Sequence, residues 1–215
     1  MRLLNNNKTI ALKVITGIAI YCAFAISNGY GQKVVKETIV MGAQGTSAAE
    51  GGFLDLQQLK LYDVNMATLN QGGIDLAYTY GKNTGINFMS PSSTAFKSFG
   101  QRYREIVFEK WNDKNKGTLI AIEGGNKEMR KAYRKVKSRD DLIELYKKAA
   151  GEVVMREGYN RLRHGPGARI TRLKIGDLVV FRSVDRDIYA IGQIVNHEDG
   201  YSGSVTVDWK AAAGN

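Results

Sequence analysis

The sequence predicts an α+β fold: a single domain with N-terminal strands, a central pair of amphipathic helices and a C-terminal three-stranded antiparallel meander. Three observations carry this. Between residues 127 and 153 apolar side chains return every three or four positions, the spacing of helices with one buried face. Between 176 and 210 the period shortens to that of strands, and polar turns divide three apolar runs. Towards the N-terminal side, short extended runs are separated by glycine-bearing loops. Strands at both ends with helices between them make an α+β arrangement.

Taken in order, the chain opens with Arg2, Lys8 and Lys13, and then runs uncharged from Val14 to Ile26. That is the layout of a cleavable signal peptide, here assigned to residues 1–31. The run is shorter than the roughly 20 residues a helix needs to span hydrocarbon, so no transmembrane segment is expected after cleavage. Small residues at Ala23/Ala25 and Gly29/Gly31 place the new N-terminus between Ile26 and Lys33, with cleavage after Gly31 preferred. Tyr21 is too bulky, beside Cys22, for a lipid-attachment signal. The expected location is outside the cytoplasm: periplasmic, outer-membrane-associated or extracellular. Cys22 is the single cysteine, so residues 32–215 carry no thiol and no internal disulfide. They are long enough to bury a core without one.

Glu37 to Met41 reads as a strand entering a small-residue loop, Gly42 to Gly52. The loop lacks the lysine of a phosphate-cradling motif and is read as a connection. Phe53 to Leu61 is expected to be extended. Asp63 is placed to cap a short helix through Asn70, ended by Gly72-Gly73. Ile74 to Tyr80 alternates at strand period, which puts Ile74, Leu76, Tyr78 and Tyr80 on one face. After a loop containing Pro91, the run to Trp111 fits helix or strand equally. Thr118 to Ile122 is a strand. Met129, Ala132, Tyr133 and Val136 mark one helix, and Leu142, Leu145, Tyr146, Ala149 and Val153 the next, with Ser138 and Asp141 as its capping box. Leu178–Phe181, Tyr189–Val195 and Ser204–Trp209 are the meander strands, whose inward face is expected to include Val180, Ile191 and Val207.

A resemblance rests on Gly52-Phe53-Leu54-Asp55, Tyr62, Ile74-Asp75-Leu76 with Tyr78 and Tyr80, Trp111 followed by Asn115, Gly176 to Phe181, and Ile191 to Val195. In these positions the chain resembles a group of exported domains from Bacteroidetes-type bacteria. Phe181-Arg182-Ser183 and Tyr189-Ala190-Ile191-Gly192 stand where that group often has Phe-Lys-Thr and Gly-Lys-Tyr-Gly. The shared positions are aromatic and glycine residues of structural character. The resemblance implies one exported domain and no particular chemistry.

Net charge is +10, of which the leader holds three cations and no acids. From Lys127 to Lys174 there are 15 Lys or Arg against 6 Asp or Glu, a local +9. A basic band of this kind suits an anionic glycan or an envelope component as partner rather than genomic DNA. Catalytic signatures are absent: no G-x-S-x-G elbow is present, and His164 and His197 have no ligand partners in helical register. No metal or cofactor is expected, and both histidines read as solvated loop residues. Paired carboxylates leave no motif, so Asp55, Asp75, Glu105 and Glu109 remain candidates for a small carbohydrate-active hydrolase, the alternative function. The leading expectation is a non-enzymatic exported binding or envelope-assembly domain. Its candidate ligand-binding residues are Arg161, Arg163, His164, Arg169 and Arg172 around a glycine-rich loop, with Tyr159 as an aromatic surface. Arginine forks match carboxylate, sulfate and phosphate oxygens, and the loop could add backbone N–H donors.

Overall fold

The structure is a computed structural model that describes residues 33–46 and 51–213. The signal-peptide segment, its preferred cleavage bond and residues 47–50 of the Gly42 to Gly52 loop lie outside the described residues. The fold is α+β. Two five-stranded antiparallel sheets stack face to face. The first has the order β1 (Val35–Gly42), β10 (Ser204–Ala212), β9 (Tyr189–His197), β8 (Leu178–Ser183), β6 (Gly117–Ile122). The second has the order β3 (Lys60–Tyr62), β2 (Phe53–Asp55), β4 (Leu76–Gly81), β5 (Gly85–Met89), β7 (Arg169–Leu173).

Helices pack on the outer face of each sheet, while β1 keeps Lys36, Thr38 and Val40 exposed. The inter-sheet layer holds Met41, Leu76, Tyr78, Phe88, Leu119, Phe181, Val207 and Trp209. Over the first sheet, α3 (Lys127–Lys135) and α4 (Arg139–Val153) seat Met129, Tyr133, Leu142 and Leu145 on Ile120, Val180 and Ile191. The Ser138–Asp141 capping box that starts α4 is formed. Over the second sheet, α1 (Val64–Leu69) and α2 (Gln101–Tyr103) meet Phe53, Ala77 and Met89, and α2 continues as a π-helix, Arg104–Lys110. Phe53 lies at the centre of that layer, with Tyr103 and Trp111 ring centroids at 5.3 and 5.4 Å. Asp63 caps α1 as expected, accepting from Asn65 N and Met66 N.

Several sequence expectations change. The stretch from Phe53 to Leu61 is a hairpin, because Asp55 Oδ1 accepts from Gln57 N and Gln58 N and folds the chain back between β2 and β3. The run to Trp111 is helical. Ile74 precedes β4 and joins the outer helical layer, whereas Leu76 and Tyr78 face the inter-sheet core. The meander is formed, but Val207 faces the other sheet while Val180 and Ile191 face the helices. A bulge between Thr206 and Val207 pairs Val207 with Ile194 and offsets the register. Strands β5 and β7 carry no clean alternation and were not anticipated. The segment from Arg156 to Arg172, whose arginines were expected around a glycine-rich loop, contains α5 (Arg161–His164) and β7, an edge strand of the second sheet.

Candidate functional site

Gly165 sets the position of the segment that carries the arginines. Its φ is +72°, and a Cβ there would stand 2.0 Å from Leu119 O, so only glycine allows the chain to pass this close to β6. Gly167 then exchanges two backbone hydrogen bonds with Leu119, at 2.8 and 3.2 Å. This crossing turns the chain from α5 into β7 and aims Arg169 towards β5.

The six sequence-named residues divide among three places. Arg163 and His164 face Glu123: Arg163 Nη2 donates to Glu123 Oε1 at 3.0 Å, and Arg156 Nη2 binds Glu123 Oε2 at 2.9 Å. His164 is buried, its Nδ1 accepting from Asn160 N at 3.0 Å and its Nε2 lying 3.9 Å from Glu123. Burial and the two arginines hold the His164 pKa below its usual value, while Arg156 above all draws that of Glu123 down. Tyr159 packs into the helical layer, 6.2 Å from the His164 ring. Arg172 projects from β7 with φ +59° and is exposed.

Arg161 and Arg169 share a third place. They line a cleft of about 570 Å³ together with Lys97, Ser92, Ser93 and Ser98, and no carboxylate lines it. Arg169 lines it and is half-buried. The guanidinium lies 5.0 Å from the Phe99 ring centroid and donates through Nη2 to Asn87 Oδ1 at 2.7 Å. Its buried Nε has no hydrogen-bond partner, and no acidic group pairs with it among the described residues. Desolvation lowers its pKa, the signature of a cation withdrawn from water without a compensating charge. Lys97 was missed in the sequence because it stands far from the basic band.

Both histidines depart from the solvated expectation. His197 is half-buried, stacks on Tyr80 at 5.8 Å and has Asp199 3.3 Å from Nδ1. The carboxylates sort differently again. Glu105 accepts from Gln101 and Glu109 lies beside Arg104, both on the helical surface. Asp55 and Asp75 do converge, but on Arg186: Nη2 reaches Asp55 Oδ1 at 3.2 Å and Nη1 reaches Asp75 Oδ2 at 2.7 Å. Asp75 is fully buried and does not line the adjoining cleft, which Asp55 and Arg186 do. One guanidinium faces two carboxylates, and burial pushes the Asp75 pKa up to about 7 against the pull of Arg186. Among the described residues no three potential metal ligands of the His, Cys, Asp and Glu types come together, and no helix is long and apolar enough to cross a membrane.

No family model and no curated protein matches the sequence. Among solved structures, the chain is similar to a DUF4466 family protein from Parabacteroides merdae, with a TM-score of 0.51 and 14% identity over 84% of this chain. The match spans 54% of that protein, so this chain corresponds to about half its length. At this identity the likeness is one of fold alone.

Proposed function

We propose that this is a non-enzymatic binding domain, exported from the cytoplasm, that holds an anionic group of an envelope component in the cleft between Lys97, Arg161 and Arg169. The observation that carries the reading is Arg169: a partly buried guanidinium with an unpaired buried Nε and no carboxylate partner, in the lining of a cleft that no acid lines. An unpaired cation drawn out of water is unfavourable, and an anion in the cleft removes that penalty. Serine hydroxyls at 92, 93 and 98 add donors around it. Arg163, His164 and Arg156 are already engaged with Glu123 and contribute little to an external anion.

The test is retention on a heparin column across a salt gradient. Lys97→Ala with Arg161→Ala should elute at clearly lower salt than wild type. Lys131→Ala with Lys135→Ala removes the same charge from exposed positions of α3 and should elute close to wild type. Equal displacement of both pairs would assign retention to net charge and refute the cleft.

A further inference from the structure

Resting on that anion-binding reading, we propose that the ligand is an acidic polysaccharide lying along one groove made of two adjoining clefts. The second cleft, also about 570 Å³, shares Ser98 and Arg169 with the first. Arg169 therefore stands between the two and presents its charge to both. Lys82 and Arg102 line the second cleft, so the joined groove carries five cations and no carboxylate among its lining residues. Asp199, beside Tyr80 and His197, and Glu105, held by Gln101, stand outside that lining.

What separates this groove from a plain anion trap is its second half. A sugar ring offers an apolar C–H face, which suits an aromatic plane, and hydroxyls, which suit amides and guanidinium groups. Tyr201 and Tyr80 supply the planes, and Asn83 an exposed amide. Tyr201 is 57% exposed. Its segment is fixed all the same, since Gly45 N donates to Tyr201 O at 2.7 Å and Ser202 Oγ donates to Gly45 O at 3.2 Å. Tyr80 is held more firmly: the Gln44 amide bonds both its N–H and its C=O, at 2.9 and 2.6 Å, and His197 backs its ring. Two fixed tyrosines beside cations spread over two clefts match a chain of charged sugars better than a single small anion. Single-stranded nucleic acid also combines charge with stacking, but the hydroxyl-rich first cleft has no aromatic residue in its lining on which a base could stack.

The experiment is calorimetric titration of the purified protein with hexagalacturonate, with inorganic polyphosphate of matched charge and with oligothymidylate, each repeated on Tyr201→Ala. Tyr201 is exposed, so its removal leaves the fold intact, which circular dichroism verifies. The expected result is that hexagalacturonate binds tightest, that Tyr201→Ala weakens it about tenfold, or about 1.4 kcal/mol, and that polyphosphate binding is unchanged by the substitution. Polyphosphate binding as tightly as the glycan, or an equal effect of Tyr201→Ala on both, would overturn the glycan assignment and leave the anion cleft standing. Tightest binding of oligothymidylate would replace it with a nucleic-acid site. Failure of all three ligands to bind would remove the anion reading and this inference together.

Discussion

Replacing Arg186 with Met should be among the most damaging single changes in this domain. Methionine keeps the apolar stem of the side chain and removes the guanidinium. The loss is then electrostatic: Asp75, fully buried, and Asp55, 2% exposed, are left facing each other without a cation. The Arg186 bonds to Gly73 O and Gln57 Oε1 go as well. Removing one partner of a buried ionic group costs about 3–5 kcal/mol, a large share of the roughly 5–15 kcal/mol that holds a domain folded. Because the penalty comes from ionised carboxylates, it should shrink when they are protonated. Urea unfolding at pH 8 and pH 5 measures both effects, with a larger shift in midpoint at pH 8. Adding Asp55→Asn and Asp75→Asn to the Met variant should recover most of the loss, since the amide oxygens can still accept from Gln57 N, Gln58 N and Leu56 N. A loss below about 1 kcal/mol at pH 8, the range of an exposed ion pair, would show that Arg186 does not neutralise this pair.

Two further outcomes follow from the same geometry. Asp75 has its folded pKa raised from 3.8 to about 7, so its contribution is fully present below about pH 4 and is lost as pH rises towards 7, with a slope of at most about 1.4 kcal/mol per pH unit; Asp75→Asn, neutral throughout, should flatten the stability profile in that window, and an unchanged profile would refute the assignment. Gly192 lies under Trp209, where a Cβ would meet Val207 Cγ1 at 2.6 Å and Trp209 Cε3 at 2.8 Å, so Gly192→Ala should cost about 1–3 kcal/mol by overpacking and shift the Trp fluorescence; a thermal midpoint equal to wild type would contradict the packing.

How much could be read from the sequence depended on whether one face of an element meets water. Helices α3 and α4 were legible because their outer faces are solvated: Lys131 and Lys135 alternate with Met129 and Tyr133 at helical spacing, and Ser138 and Asp141 announce the cap. The meander was legible as strands but not as faces. Leu178-Val179-Val180-Phe181 is apolar without a break because one side meets α3 and α4 and the other meets the second sheet. Strand β5 was lost because Asn87 breaks its apolar run yet is fully buried, bonded to Thr79 O, Gly85 O and Arg169. At the site, Arg161 and Arg169 could be named from composition, but their grouping could not. Glu123 claims Arg163, whereas Lys97, Lys82 and Arg102 join the groove from outside the basic band, through contacts that only the fold creates.

The pairing of β1 with β10 has a consequence for how the chain acquires its structure. β1 lies at the edge of the first sheet, and β10 is its one neighbour there, in a register that sets Val35 opposite Ala211. The two strands are separated by almost the whole described sequence, so this contact carries a large loop-closure entropy, and it closes late. During synthesis β1 emerges long before its partner exists, and its backbone donors and acceptors stay open to other strands in that interval. Its outward residues answer the hazard in part, since Lys36, Glu37 and Thr38 are exposed and polar. A chain stopped before residue 204 would leave β1 without its partner and β9 as an open edge, and such fragments should self-associate rather than fold.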